Sequence, residues 1–251
     1  MTKDFVLLTG AYGGLGKALA SQYAKEGYGL ILLGRKDKAL KDLQEELSKE
    51  TIIHTIVCDV SDWESCKNVQ QVVAELQVPI KVLINNAGIT YIQNFNQKYD
   101  IEQYQKLIET NLNGPVYLTR LFIKDLIKNQ GSIINISSVI GYAPVVGRTA
   151  YAASKFGLEG FCSVLQAEVN DQVHIMMAYP TFIDTPIRDG LEVNTHKNEV
   201  LSAEKVANSI LVAHQKRKKK VYIGRTAKLS YFLYKFFPKL YVILMKKNIE
   251  S

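Results

Sequence analysis

The chain is poor in cysteine. Only Cys58, Cys66 and Cys162 occur in 251 residues, an odd number with no Cys-x-x-Cys. That excludes a disulfide scaffold and points to a reducing compartment. No run of 18 uncharged apolar residues exists, which argues against a spanning helix. Residues 1 to 9, MTKDFVLLT, are apolar without a break only from Phe5 to Leu8. A secretory signal needs more, so a cytoplasmic protein is expected. His54, His174, His196 and His214 are too scattered to give a metal pair, and neither Gly-x-Ser-x-Gly nor an ATPase-type phosphate loop is present. The last 37 residues almost lack acid. Residues 215 to 251 hold 11 Lys+Arg and only Glu250, a net +10, whereas residues 1 to 214 hold 20 Lys+Arg and 23 Asp+Glu, a net −3. The basic excess is therefore a property of the tail, and nucleic-acid binding by the acidic remainder is disfavoured.

What is present is ordinary globular material: 47% hydrophobic and 22% charged residues, enough to bury a core without metal or disulfide help. Short apolar runs at Phe5–Thr9, Leu30–Leu33, Ile52–Val57, Val82–Asn85, Ser132–Ser137, Val173–Tyr179 and Val221–Ile223 alternate with helix-length segments near 15–26, 37–49, 62–76, 100–129, 150–169 and 203–215. Unbroken apolar strands are buried on both faces. Their alternation with helices predicts an α/β fold: a Rossmann-type, doubly wound, mostly parallel seven-stranded sheet with helices on both faces. Residues 1–224 are read as one domain, and 225–251 as a basic, aromatic helical extension. In such a sheet the ligand crevice lies beyond the carboxyl ends of the strands. Gly10, Gly34, Asp59, Asn86, Ser138 and Pro180 each follow a predicted strand.

The first of these turns reads Thr9-Gly10-Ala11-Tyr12-Gly13-Gly14-Leu15-Gly16. Glycines let backbone approach a pyrophosphate, and the helix start offers it free N–H groups. Later, Tyr151 and Lys155 stand one helical turn apart on a common face, where a phenol beside an ammonium can serve as acid-base. Ser138 ends a buried strand 13 residues earlier, with Ser137 as its rival, since alternation lets only one of the two face the site.

Together these residues resemble the short-chain dehydrogenase/reductase family of the Tyr-x-x-x-Lys type, over about residues 4 to 224. The resemblance implies a hydride transfer between nicotinamide and a carbonyl or alcohol. Tyr151 would be the acid-base, Ser138 would position oxygen, Lys155 would tune Tyr151 and hold the ribose, and Asn111 would bend its helix and anchor a proton relay; a buried asparagine satisfied locally is the alternative for Asn111. It implies a cofactor site of Gly10, Tyr12, Gly13, Gly14, Leu15, Gly16, Asp59, Val60, Asn86, Ala87, Gly88, Tyr151, Lys155, Pro180, Ile183 and Thr185. Asp59 could instead cap the helix beginning near Asp62. Thr181 stands where the family has glycine. The second strand ends Leu33-Gly34-Arg35-Lys36 with no acid, which resembles NADP-preferring members, Arg35 and Lys36 meeting the 2′-phosphate.

The expected partners are a small carbonyl or alcohol substrate and further copies of the chain, as homodimer or homotetramer. Reduction is the expected direction. The tail interleaves lysines with large apolar and aromatic groups, around Pro238. That suits either a helix lying in a membrane interface or a hairpin over the active site or a partner subunit, and it hints at an apolar substrate. The alternative to an enzyme is a nucleotide-binding sensor or scaffold recruited to membranes by the tail.

Overall fold

The computed structural model describes residues 3–184 and 200–247. Seven parallel strands form one sheet in the order β3-β2-β1-β4-β5-β6-β9. They are β1 (Phe5–Thr9), β2 (Gly29–Gly34), β3 (Ile53–Val57), β4 (Ile80–Asn85), β5 (Ser132–Ile136), β6 (His174–Pro180) and β9 (Lys220–Ile223). Five of them, β1, β2, β4, β5 and β6, are apolar and inaccessible along almost their whole length. Alternate side chains feed two cores. Val6, Leu8, Leu30 and Leu32 pack with Leu19 of α1 (Gly14–Lys25), Leu40 of α2 (Asp37–Leu47) and Ile210 of α7 (Ala203–Gln215). Leu7, Ile31 and Leu33 pack on the other face with Val69 of α3 (Trp63–Leu76), Phe122 of α5 (Gly114–Lys128) and Leu158 of α6 (Thr149–Glu168). That period of two explains why the strands read as unbroken apolar runs. Strand order reverses between β1 and β4, which opens a crevice there.

The segment expected as one helix near 100–129 is broken. α4 (Ile101–Ile108) and α5 are joined by a π turn at Glu109–Asn113. The turn carries Asn111, fully buried, whose Oδ1 accepts from Ile89 N–H at 2.8 Å and whose Nδ2 donates to Ile89 C=O at 2.9 Å. Immediately after it, a Cβ on Gly114 would lie 2.9 Å from Val60 C=O, so the start of α5 can approach the β3 end only with glycine there. A second, two-stranded sheet of β7 (Phe182–Ile183) and β8 (Val200–Leu201) was not foreseen, because two-residue strands carry no periodic signal.

The tail forms α8 (Arg225–Phe236) and α9 (Pro238–Lys247). α8 is tied down along one face: Ala227 is buried, Tyr142 donates from its hydroxyl to Ala227 C=O at 2.6 Å, and the Tyr231 ring lies 4.6 Å from that of Tyr222 and 5.5 Å from that of Tyr142. No helix among the described residues is long and apolar enough to cross a membrane.

Candidate active site

The carboxyl ends of the central strands open into a cleft of about 480 Å³. The glycine loop forms one wall. Gly10 takes φ +62°, and a Cβ on Gly16 would meet Gly10 C=O at 2.2 Å, so loop and helix close on each other as only glycine allows. α1 then begins with no side-chain cap and no acidic residue in its first turn. Its free amides and positive dipole end face the cleft lined by Gly13, Gly14, Leu15 and Gly16, which fits a bound anion such as the pyrophosphate of a dinucleotide. Thr9 holds this loop to the β4 end. Its Oγ1 accepts from the N–H groups of Asn86 and Ala87, each at 2.9 Å, and Asn86 Nδ2 donates to Thr9 C=O at 2.9 Å. Sequence reasoning passed over Thr9, although a lone hydroxyl ending an apolar strand was the available signal.

Gly34, Arg35, Asp59 and Val60 line the far end of the cleft. Arg35 Nη1 lies 4.0 Å from Asp59 Oδ2, both side chains half exposed. Burial works to raise the Asp59 carboxyl, but hydrogen bonds from Ser61 Oγ and N–H, with the charges of Arg35 and Lys106, hold it below the usual range. Asp59 is not a helix cap; Asp62 caps α3 by accepting from Glu64 and Ser65 N–H. Lys36 departs from expectation. It is the exposed residue preceding α2 and does not line the cleft.

At the near end stand Ser138, Tyr151 and Lys155. Ser138 is the serine that acts on the Tyr151 phenol. Ser137 is buried with its hydroxyl against Gly141, where an added Cβ would lie 2.5 Å away. Burial raises the Tyr151 phenol above its ordinary value, opposed by the charge of Arg148 and by the Ser138 hydroxyl. Arg148 thus joins Lys155, which the sequence alone made the tuning charge. Lys155 donates from Nζ to Ile136 C=O at 2.8 Å and sits 5.6 Å from the centre of the Tyr151 ring. Buried with no acid beside it, its ammonium falls to about 8. Asn111 does not line the cleft. Its side chain is spent on Ile89, with Ser154 Oγ 3.5 Å from Nδ2, while its neighbour Thr110 reaches the wall.

Gly10, Tyr12, Ala87, Gly88, Pro180 and Ile183 are also in the lining. Thr181 needs none of glycine's freedom: its φ is not positive, and its N–H donates to Ile223 C=O at 3.0 Å. Thr185 lies outside the described residues. The lining includes Arg148 and Thr90, which the sequence reading missed; Arg148 could have been found from its place one turn before Tyr151. No described residue of the tail lines the cleft, so the tail gives no ground for an apolar substrate.

A family model described as short chain dehydrogenase matches residues 4–195. Sulfoacetaldehyde reductase 2 of Chromohalobacter salexigens is 36% identical over 168 residues, 66% of this chain and 67% of that protein. Dehydrogenase/reductase SDR family member 7B of Xenopus tropicalis is 32% identical over 98% of this chain and 85% of its own. A solved short-chain dehydrogenase from Sphingobium yanoikuyae, in complex with NADPH, superposes with a TM-score of 0.79 at 26% identity, covering 87% of each chain. The chain belongs to the short-chain dehydrogenase family.

Proposed function

We propose that this short-chain dehydrogenase is an NADP(H)-dependent reductase of an aldehyde or ketone, the reverse oxidation of the alcohol using the same groups. The observation that carries the reading is that Ser138, Tyr151 and Lys155 share one cleft with an uncapped helix start behind a glycine loop. A binding module would have no use for that trio. The name of the Chromohalobacter relative also points to an aldehyde substrate.

The residues divide the work. The first turn of α1 would hold the pyrophosphate, and Arg35 the 2′-phosphate. The Arg35–Asp59 contact is long and half exposed, so it is weak, and a phosphate offering charge-assisted hydrogen bonds outcompetes it. When bound, the dinucleotide supplies the hydride. Ser138 donates a hydrogen bond to the carbonyl oxygen and steadies the charge growing there. Tyr151 gives that oxygen its proton. A phenol kept neutral by burial holds the proton that reduction requires. Lys155, with its hold on a proton weakened to about 8, can resupply Tyr151.

The test is a panel of carbonyl compounds followed by loss of NADPH absorbance, with NADH in parallel and Tyr151→Phe as control. NADPH consumption by the wild type and not by Tyr151→Phe is expected. Tight NADPH binding with no consumption across the panel would favour the sensor reading.

A further inference from the structure

We propose that Arg148 is a binding site for an anionic group on the substrate: a carboxylate, sulfonate or phosphate placed a short chain away from the carbonyl carbon. The proposal rests on the reductase reading and names its substrate class. Arg148 precedes α6, lines the cleft, and lies close enough to Tyr151 to act on its phenol. It is only partly exposed. Burial lowers its guanidinium, so its charge is held there at a cost. Among the described residues it has no carboxylate partner, and its side chain makes one hydrogen bond, from Nη1 to Thr90 Oγ1 at 2.5 Å. A guanidinium has five N–H donors. One of them is anchored on β4's loop, which fixes the fork, and no other is used. The one acid in the lining, Asp59, stands at the opposite end beside Arg35. Among the described lining residues, the reactive end thus carries two cations, Lys155 and Arg148, and no anion. Lys155 spends a donor on Ile136 C=O, and among the described residues Arg148 is the lining cation beside Tyr151 that keeps unused donors. A planar donor fork in a confined cleft suits bidentate capture of an oxyanion.

Matched substrates test this: 4-oxobutanoate against its methyl ester, and sulfoacetaldehyde and glyceraldehyde 3-phosphate against butanal and glyceraldehyde. The wild type should prefer an anionic member by at least about tenfold in kcat/KM, the equivalent of one charged hydrogen bond. Arg148→Met should erase that preference, mainly through KM, over and above any common change in the rates of both members that its charge on Tyr151 causes; Arg148→Lys should restore part of it. If Arg148→Met slows both members equally and shifts the pH profile, Arg148 acts on Tyr151 alone and the proposal is wrong. Succinate and ethanesulfonate, which have no aldehyde or ketone group, give a reading without turnover. They should raise the melting temperature of the NADPH-loaded wild type but not of Arg148→Met. An active enzyme indifferent to both anions overturns the anion site. An inactive one that binds either anion through Arg148 overturns the reductase reading and keeps the site.

A second inference rests on the tail alone. We infer that α8 and α9 dock on an anionic lipid surface. One side of α8 is fastened to the body through Ala227, Tyr231 and Tyr142. Leu229, Phe232 and Phe236 of α8 and Leu240, Ile243 and Leu244 of α9 are each between 44% and 59% exposed. Spacings of three, four and seven in α8, and of three and four from Leu240 in α9, put each set on one helix face. Lys228, Lys235 and Lys239 are exposed among them, and residues 225 to 247 contain no acid. Two-fold contact between copies would set this wholly basic surface against itself; an anionic bilayer meets both its charge and its apolar face.

Flotation of the full chain with phosphatidylcholine vesicles, with and without phosphatidylglycerol, tests it. Binding should be at least about tenfold tighter to the anionic vesicles and should fall with salt. Leu240→Glu with Ile243→Glu should abolish it while leaving turnover of a soluble carbonyl unchanged. Full-length protein that stays behind at low salt overturns the inference. So does a double variant that changes oligomeric state and not lipid binding, which would make the face a subunit contact.

Discussion

The sheet and the tail treat the same side chains in opposite ways. Leu30, Ile31, Leu32 and Leu33 of β2 are wholly inaccessible, whereas Leu229 and Phe236 of α8 are more than half exposed. Charges in the body are mixed and sum to −3; those of residues 225 to 247 are one sign and help sum to +10 from residue 215 onward. The body uses hydrophobicity to close two cores beside a cleft, while the tail displays it. The two meet at a narrow aromatic seam, Tyr142, Tyr179, Tyr222 and Tyr231, beside the cleft but not in it. The cleft therefore belongs to the body, and the tail stands apart from it, available for the lipid docking proposed above.

The largest effect that would break this division lies in the cleft. Tyr151→Phe removes the transferable proton and should lower turnover by about 10²–10⁴-fold, with NADPH affinity and vesicle flotation unchanged. Near-normal stopped-flow rates in this variant would remove the chemistry from the cleft.

Next comes acid stability, a property of the body's interior. Burial, with the charges of His174 and Arg217, pulls His214 down to about 4, between Tyr23 OH at 3.0 Å and Ser132 Oγ at 2.9 Å. In the unfolded chain His214 takes a proton near 6.5; in the folded chain it does so only near 4. Between those pH values the unfolded state binds more protons, so stability is full above 6.5 and is lost as pH falls toward 4. At about 1.4 kcal/mol per pH unit the loss reaches a few kcal/mol. Denaturant melts across this range should show it, with a shallower slope in His214→Gln. An equal slope in that variant would assign the acid sensitivity elsewhere.

Cofactor choice follows. Arg35→Ala should weaken NADPH more than NADH by roughly 10- to 150-fold, the worth of a charged hydrogen bond. Equal losses in fluorescence titrations would show that Arg35 does not read the phosphate.

The smallest effect sharpens the seam itself. Tyr142→Phe deletes only the bond to Ala227 C=O and should cost about 1 kcal/mol. Limited proteolysis should then cut first within the tail. Cleavage starting in the body instead would mean that the seam holds more than α8.

Much of this was legible in the chain because parallel strands buried on both faces leave unmistakable apolar runs, and because Gly10, Ser138 and Tyr151 each follow such a run or open a helix. What escaped depends on tertiary neighbours. A bend at Asn111 came only with the family resemblance, since no proline marks it; its π form goes with the bonds of Asn111 to Ile89. Arg148 reads as a surface residue until Thr90 and Tyr151 are placed beside it. Lys36 looked as useful as Arg35, yet one residue further on the chain has already turned to solvent to begin α2.

The π turn at Glu109–Asn113 also constrains length. Such a turn holds one residue more than an α-helical turn, and each residue rotates a helix by about 100°. Deleting any one residue between 109 and 113 would let 101–128 run on as a regular helix. Leu118, Phe122 and Leu126, all buried, would then swing about a quarter-turn off the sheet, or α4 would swing instead. Substitutions along α5 change one contact at a time, but a one-codon deletion here resets the phase of a whole helix. Alleles of this gene should therefore tolerate insertions and deletions in the surface loops and reject them in this turn.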